Sequence, residues 1–553
     1  MSFEQAGLHL LYAGRYVDSD FSTSRIAYHL ISTPSSPTYV AAVVEYNPDT
    51  GAPGDATTDI VSKNVANYVL HIRKAAEQDA DIIVFPECGL VTYVSGTSYA
   101  TPLPSPEDLV TPCTDTSSNV TEAIRTLSCE ARTQSIYVVV NVPEVAPCPN
   151  ASRNCVLYYN SNVVFDRNGT VVARYRKFNL FGEAGFSTTP EAEISILDTD
   201  FGVKFGIFTC FDLLFEKPAV QLVKEWGVTD IIFPTAWFSE LPFLTAVEAQ
   251  ASWAYGFDVN FLAAGYDTPS VGSAGSGIYA GKDGPLLTVM PTVPTTRLLV
   301  ARLLKKKSQS SQSTLSYAGN NSKPLTYSNI FSSRIDGTKS RLRMMRDYLE
   351  PYETLLLDEG DCFIERRLCH NELCCDFQVV MHTDQRDRDT SVKDYVYRLV
   401  VFDGIRSYTY LTAGVQICAV VSCINSSLSS CGYEFERPEE SAFRAVFDYI
   451  HISGNFRVDN STQLPATLVH GYGVLSPDTF QFTREEIPEK GEVRIDMKTK
   501  SQHSNLLTFA VYGRDFLKDG GPVTKPSGTV RNNAASVSLL LSVAVFLCVR
   551  SHY

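Results

Sequence analysis

The chain has 553 residues, 44% of them hydrophobic, which exceeds one ordinary domain and supplies material for two or more cores. Its formal net charge is −14 and its main basic cluster, Lys305 to Lys307, is short, so no electrostatic footprint for nucleic acid is present. Fourteen cysteines and six N-x-[ST] sequons, at Asn119, Asn150, Asn168, Asn320, Asn425 and Asn460, together favour an oxidising, secretory environment, although each sequon alone is a weak sign.

Residues 1–38 read as an N-terminal segment. Its opening, MSFEQAGLHLLYAGRYVDSDFSTS, has neither the basic start nor the sustained apolar run of a secretory signal; of the two explanations, a misassigned gene start is favoured over an intracellular protein. From Tyr39 the pattern alternates strand and helix. The apolar run YVAAVVEY is followed by a helix-like stretch from Thr58 to Gln78, with Val61, Val65, Val69 and Ile72 on one face. DIIVFPE reads as a buried strand ending in a turn, SIYVVVNV as another, and VVFDRNGTVVARY as a hairpin turning at Asn168-Gly169. The helix-like PAVQLVKEWG, the strand DIIFPTAW, the helix-like TAVEAQASWAYGFD and the strand NFLAAG complete a layered α/β domain over 39–304. Residues 305–347, rich in Ser, Lys and Asn, suit a surface linker. Short β-rich runs with interspersed cysteines then predict a disulfide-stapled β domain over 348–518. The tail, 519–553, places small residues and a polar spacer before an apolar run, Val537 to Val549, that is too short for a spanning helix; it reads as a lipid (GPI) attachment signal rather than a docked tail helix.

Three stretches place a reactive side chain at or just past the end of an apolar strand: Glu87 in DIIVFPE, Lys177 in VVARYRKFNL and Cys210 in KFGIFTC. Singly, each has an ordinary reading: a cap, a solvated charge, a small buried hydrophobe. Jointly they fit one chemistry, in which a carboxylate takes a thiol proton, a cation stabilises thiolate and oxyanion, and the thiolate attacks a carbonyl.

The motifs FPE, RYRKFNLFGE and GIFTCFD, followed by PTAW and GSGIY, resemble the nitrilase (carbon–nitrogen hydrolase) superfamily, and within it the vanin and biotinidase branch, whose cysteine cluster LCHNELCCDF also resembles. The resemblance implies an α-β-β-α layered sandwich followed by a smaller β-rich domain. It assigns Glu87 as general base, Lys177 as transition-state stabiliser and Cys210 as nucleophile. Glu183, in GEAGF, matches a second glutamate that helps hold lysine and substrate, against the alternative of an ordinary loop ion pair. The Phe211 backbone N–H is the expected second oxyanion donor. The implied reaction is hydrolysis of a small linear amide through a thioester, without metal or organic cofactor. Pantetheine is the favoured substrate; biocytin, or a cell-surface binding protein without turnover, are the alternatives. The partners implied are the amide and a membrane reached through the lipid anchor on the extracellular face, or secretion.

Cys88, directly after the expected base, and Cys362 depart from the branch pattern; Cys88 is expected to be a free thiol whose oxidation interferes with activity. Trp237 reads as core or pocket wall. The Gly272 to Gly277 run reads as a tight turn beside the pocket and not as a phosphate loop. The cysteines from 362 to 375 read as disulfide halves rather than zinc ligands, and no histidine motif supports a papain-like site.

Overall fold

The computed structural model describes residues 31–93, 95–149, 155–306, 342–357, 363–384, 392–435 and 441–524. Most of the N-terminal segment, Asn150, Asn320, most of the linker, Cys362 and the apolar tail lie outside the described residues.

The first domain is built on two six-stranded sheets. One has the order β13 (Arg297–Leu304), β1 (Thr38–Glu45), β2 (Ile82–Val84), β3 (Tyr137–Pro147), β4 (Val156–Phe165), β5 (Val171–Arg176). The other has the order β12 (Pro285–Val289), β11 (Ser276–Ala280), β10 (Asn260–Gly265), β8 (Asp230–Thr235), β7 (Lys204–Ile207), β6 (Ile196–Asp198). The central strands β1, β2, β3, β8 and β10 are buried on both faces because both faces are covered. In β1, Tyr39, Ala41 and Val43 pack toward the second sheet, while Val40, Ala42 and Val44 pack with helices α1 (Thr57–Ala76) and α2 (Glu122–Gln134). Helix α1 buries Val61, Val65, Tyr68 and Ile72 at helical spacing. On the far side, the short α3 (Gln221–Lys224) and α4 (Ala246–Phe257) cover the second sheet, giving the α-β-β-α sandwich. The β4–β5 hairpin turns at Asn168-Gly169. Asp166 accepts the Asn168 and Thr170 N–H groups at 2.8 Å each, and Gly169, at φ 78°, lies so near Ser128 that a Cβ would fall 2.3 Å from its carbonyl oxygen.

One expected helix starts at a break. PAVQLVKEWG turns as a helix through Pro218–Val220 into the four residues of α3, and Lys217, which precedes the proline and is extended at φ −106° and ψ 130°, marks where it starts.

Within the stretch read as linker, Met345–Arg346 forms β14, paired in parallel with β9 (Glu240–Leu241) of the first domain. The second domain is a sandwich of two five-stranded sheets. One has the order β15 (Glu353–Leu356), β19 (Val396–Tyr408), β20 (Leu411–Cys423), β26 (Leu506–Asp515), β23 (Ser461–Val469). The other has the order β16 (Phe363–His370), β17 (Leu373–Thr383), β22 (Ala445–Arg457), β25 (Glu492–Thr499), β24 (Phe480–Ile487), and β18 (Lys393–Asp394) pairs with β21 (Ser441–Ala442) at the side. Strand β20 links the layers: Ala413, Val415, Ile417, Ala419 and Val421 join the core of the first domain, whereas Cys418 and Val420 join the core between the two sheets of the second. Cys375–Cys418 ties those two sheets together, and Cys369–Cys374, Cys423–Cys431, Cys113–Cys129 and Cys148–Cys155 close local loops. Cys88 and Cys210 are the free cysteines among the described residues, and both are buried.

Candidate active site

Cys210 opens a tight turn, Cys210–Leu214, three residues past the end of β7. Its φ of 47° is a left-handed conformation that costs a non-glycine residue on the order of 1–3 kcal/mol. Its neighbours hold it there. The Thr209 side chain and Asp212 form a reciprocal cap. Asp212, fully buried, also accepts the Tyr175 hydroxyl at 2.7 Å and the Asn179 N–H at 2.8 Å. Burial pushes the Asp212 carboxyl up to about 6, against these donors and the Lys177 charge that pull it down.

Glu87 lies three residues past β2 and Lys177 directly follows β5, so two strand ends of the first sheet meet one of the second. Lys177 Nζ donates to Glu87 Oε1 at 2.7 Å and contacts Glu183 Oε1, with the Lys177 and Glu87 side chains almost wholly buried. Burial would strip the Lys177 proton, but Glu183 and Glu87 more than offset it and hold the amine cationic. The Cys210 thiol is pushed well above its ordinary value, first by burial and then by the Glu87 charge, with Lys177, Thr235 and the Ala236 N–H pulling the other way. At rest the site therefore holds a neutral thiol beside a carboxylate and a fixed cation. That set can move a proton from sulfur to carboxylate and stabilise an oxyanion.

A hydrogen-bonded asparagine ladder supports it. Asn160 donates to Glu87 Oε1 at 2.8 Å, Asn141 donates to the side-chain oxygens of Asn160 and Asn162, and Asn162 donates to the Thr209 hydroxyl beside Cys210. Asn141 also accepts the Cys88 N–H at 2.9 Å. The ladder thus joins the Glu87 turn to the Cys210 turn through β3 and β4. Sequence reasoning missed it; the available signal was Asn160 and Asn162 two apart in an otherwise buried strand, on one face. Tyr93 was missed as well. Its hydroxyl lies against the Cys88 thiol, and Glu87, Cys210 and Glu183 all act on it.

Trp237 is buried and donates to the Leu244 carbonyl at 2.8 Å, so it is core beside the site. Gly272 and Gly275 have positive φ and form a turn, in which the Gly275 N–H reaches Glu45. The sequon residues Asn119, Asn168, Asn425 and Asn460 are all exposed. No described helix is long and apolar enough to cross a membrane, and no described group of side chains could hold a metal ion.

A layered α/β fold that gathers Glu, Lys and Cys from its strand ends defines a class, and comparison with known proteins agrees with that class. The carbon-nitrogen hydrolase family matches residues 40–248 and the vanin C-terminal domain family matches 342–519. The chain is 37% identical over 500 residues to vanin-like protein 1 of Drosophila melanogaster, covering 86% of each. It is 33% identical to a biotinidase of Takifugu rubripes (86% of this chain, 94% of that one) and 32% identical to a pantetheinase of Sus scrofa (89% and 91%). The chain belongs to the vanin branch of the carbon–nitrogen hydrolases. It is a hydrolase of non-peptide carbon–nitrogen bonds in amides.

Proposed function

We propose that the chain cleaves pantetheine to pantothenate and cysteamine, with Cys210 as nucleophile, Glu87 as general base and acid, and Lys177 as oxyanion stabiliser. The carrying observation is the buried Glu87–Lys177–Glu183 array set against a protonated Cys210 thiol. Glu87 Oε1 already receives Asn160 and Lys177, whereas Oε2 receives the Ala236 N–H alone among the described residues, at 2.9 Å. Because that N–H also acts on Cys210, Oε2 is the oxygen that takes the thiol proton. The sulfur bonds to the amide carbon, and the oxyanion is met by Lys177 and the Phe211 N–H. Collapse breaks the C–N bond, and protonated Glu87 gives its proton to the departing amine. Water then loses a proton to Glu87 and attacks the thioester, releasing the acid and the thiol. Glu183 Oε2, buried and without a partner among the described residues, is left to accept a substrate N–H.

The exposed sequons and disulfides support glycosylation and an extracellular protein held by the lipid anchor or secreted. The named relatives divide between pantetheinase and biotinidase at nearly equal identity, so the test separates the two. Purified protein is assayed for cysteamine release from pantetheine and lysine release from biocytin, with Cys210→Ala alongside. Faster cysteamine release, lost at least about 10³-fold in Cys210→Ala, is expected. Preference for biocytin overturns the substrate, and full activity in Cys210→Ala overturns the nucleophile.

A further inference from the structure

The β19–β20 hairpin of the second domain ends in a two-residue turn, Thr409-Tyr410, closed by the Tyr408–Leu411 pair. This tip touches the first domain at both sides of the candidate site. On one side the Tyr408 ring lies 5.9 Å, centre to centre, from the ring of Phe211, the residue after the nucleophile. Tyr408 is itself held: the Arg406 guanidinium sits 4.4 Å over its ring and its hydroxyl bonds that of Tyr512 at 2.9 Å. On the other side, the Thr409 hydroxyl reaches the Phe181 carbonyl at 3.4 Å, and the Tyr410 ring lies against Gly182, where a Cβ would sit only 2.4 Å from it. Gly182, at φ 100°, directly precedes Glu183. The Phe181 ring closes the circuit by packing edge-on to Phe211 at 5.0 Å.

We propose that the tip Tyr408–Tyr410 is a positioning element for amide hydrolysis, fixing the Phe211 N–H through Tyr408 and the Glu183 loop through Thr409 and Tyr410. The argument is geometric. Phe211 and Glu183 lie on a five-residue turn and a loop, which define angles less firmly than strands do, and an oxyanion donor displaced by about 1 Å costs on the order of 10²-fold in rate. A ring clamped from behind by a cation and a hydroxyl gives that turn a fixed wall. The second domain is then part of the catalytic unit rather than an appendage.

This inference rests on the proposed hydrolysis, so wild type must first hydrolyse pantetheine or biocytin in a Cys210-dependent manner. If it hydrolyses neither, the proposed function fails, and the rate of Cys210 alkylation by iodoacetamide still tests the tip, independently of substrate. In Tyr408→Ala, kcat is expected to fall roughly 10- to 100-fold, with KM changed less than about threefold. Alkylation is expected to be at least about fivefold faster, because the lost wall admits water to a thiol that burial keeps protonated. Tyr408→Phe keeps the ring and is expected within about twofold of wild type in kcat. Folded Tyr408→Ala with wild-type kcat and alkylation, or Tyr408→Phe as impaired as Tyr408→Ala, overturns the proposal. Should Tyr408→Ala not fold, Tyr410→Ala decides. That ring is 78% exposed and its removal leaves the core intact, so a loss in kcat/KM of at least about fivefold supports the role and an unchanged value overturns it.

Discussion

A thiol pushed up by burial is a weak nucleophile until something takes its proton, and at Cys210 the group able to do so is also part of the push. Glu87 raises the thiol by its charge and, on the proposed mechanism, removes its proton when substrate arrives. The two effects separate in one variant. Glu87→Gln keeps the shape and loses the charge, so the thiol falls toward its ordinary value. Alkylation of Cys210 by iodoacetamide at pH 7.5 should become about tenfold faster, while amide hydrolysis drops at least about 10³-fold. In wild type, the alkylation rate should keep climbing from pH 7 through 9 without levelling. Slower alkylation together with slower hydrolysis in Glu87→Gln would show that Glu87 does not hold the thiol protonated. That Glu87, Lys177 and Cys210 meet was legible, because all three sit at or just past strand ends. The asparagine ladder was not, since Asn141, Asn160 and Asn162 are scattered through apolar strings and meet only through the β3–β4 register, which pairs Asn141 with Asn162.

The central strands were readable because both their faces are buried and their composition says so, and the β4–β5 turn because Asn-Gly leaves few alternatives. Less legible was how the two sheets are fastened where they approach the site. At the end of β1, Tyr46 bridges Tyr266 just beyond β10, and beside that bridge the Glu45 and Asp267 carboxyls act on each other in the interior. Burial pushes both carboxyls up, and the Asp267 charge adds to the push on Glu45; Asp267 reaches about 7. A folded-state value raised above the unfolded one gives stability that is complete at low pH and lost as pH rises through the folded value. Wild type should therefore lose thermal stability between about pH 6 and 8.5, by on the order of 1–2 kcal/mol or a few degrees, as the carboxyl proton leaves. Asp267→Asn should reduce that slope without abolishing it in a melting series across the same range, because burial still holds the Glu45 carboxyl up. An equal slope in both proteins would place the titrating group elsewhere.

Across the whole molecule, the core does not stop at the domain boundary: one continuous apolar cluster runs from the inter-sheet layer of the first domain into β20 and β26 of the second. No run of sequence announces this, because alternation along β20 reads as a strand with two buried faces and does not say which domain covers each. The boundary also holds a buried charge cluster. Arg406 of β19 reaches Glu240 of β9 at 2.5 Å and Asp347 at 3.0 Å, and Tyr352 donates to Asp347 at 2.6 Å. Burial works against the Arg406 charge, but Asp347 and Glu240 hold it, while burial pushes Glu240 up to about 7 despite the pull of Arg406. Arg406→Met would leave two buried carboxyls without their cation, at a cost of about 3–5 kcal/mol when both are ionised. Taking up protons relieves that cost, and without Arg406 the Glu240 value rises further, so its raised position makes stability fall as pH climbs through 7 and beyond. Arg406→Met should accordingly melt only modestly below wild type at pH 5.5 and far below it at pH 8.5. Because the two domains share a core, wild-type calorimetry should show one transition covering both. A deficit in Arg406→Met that is the same at both pH values would mean that the guanidinium contributes packing over Tyr408 rather than charge.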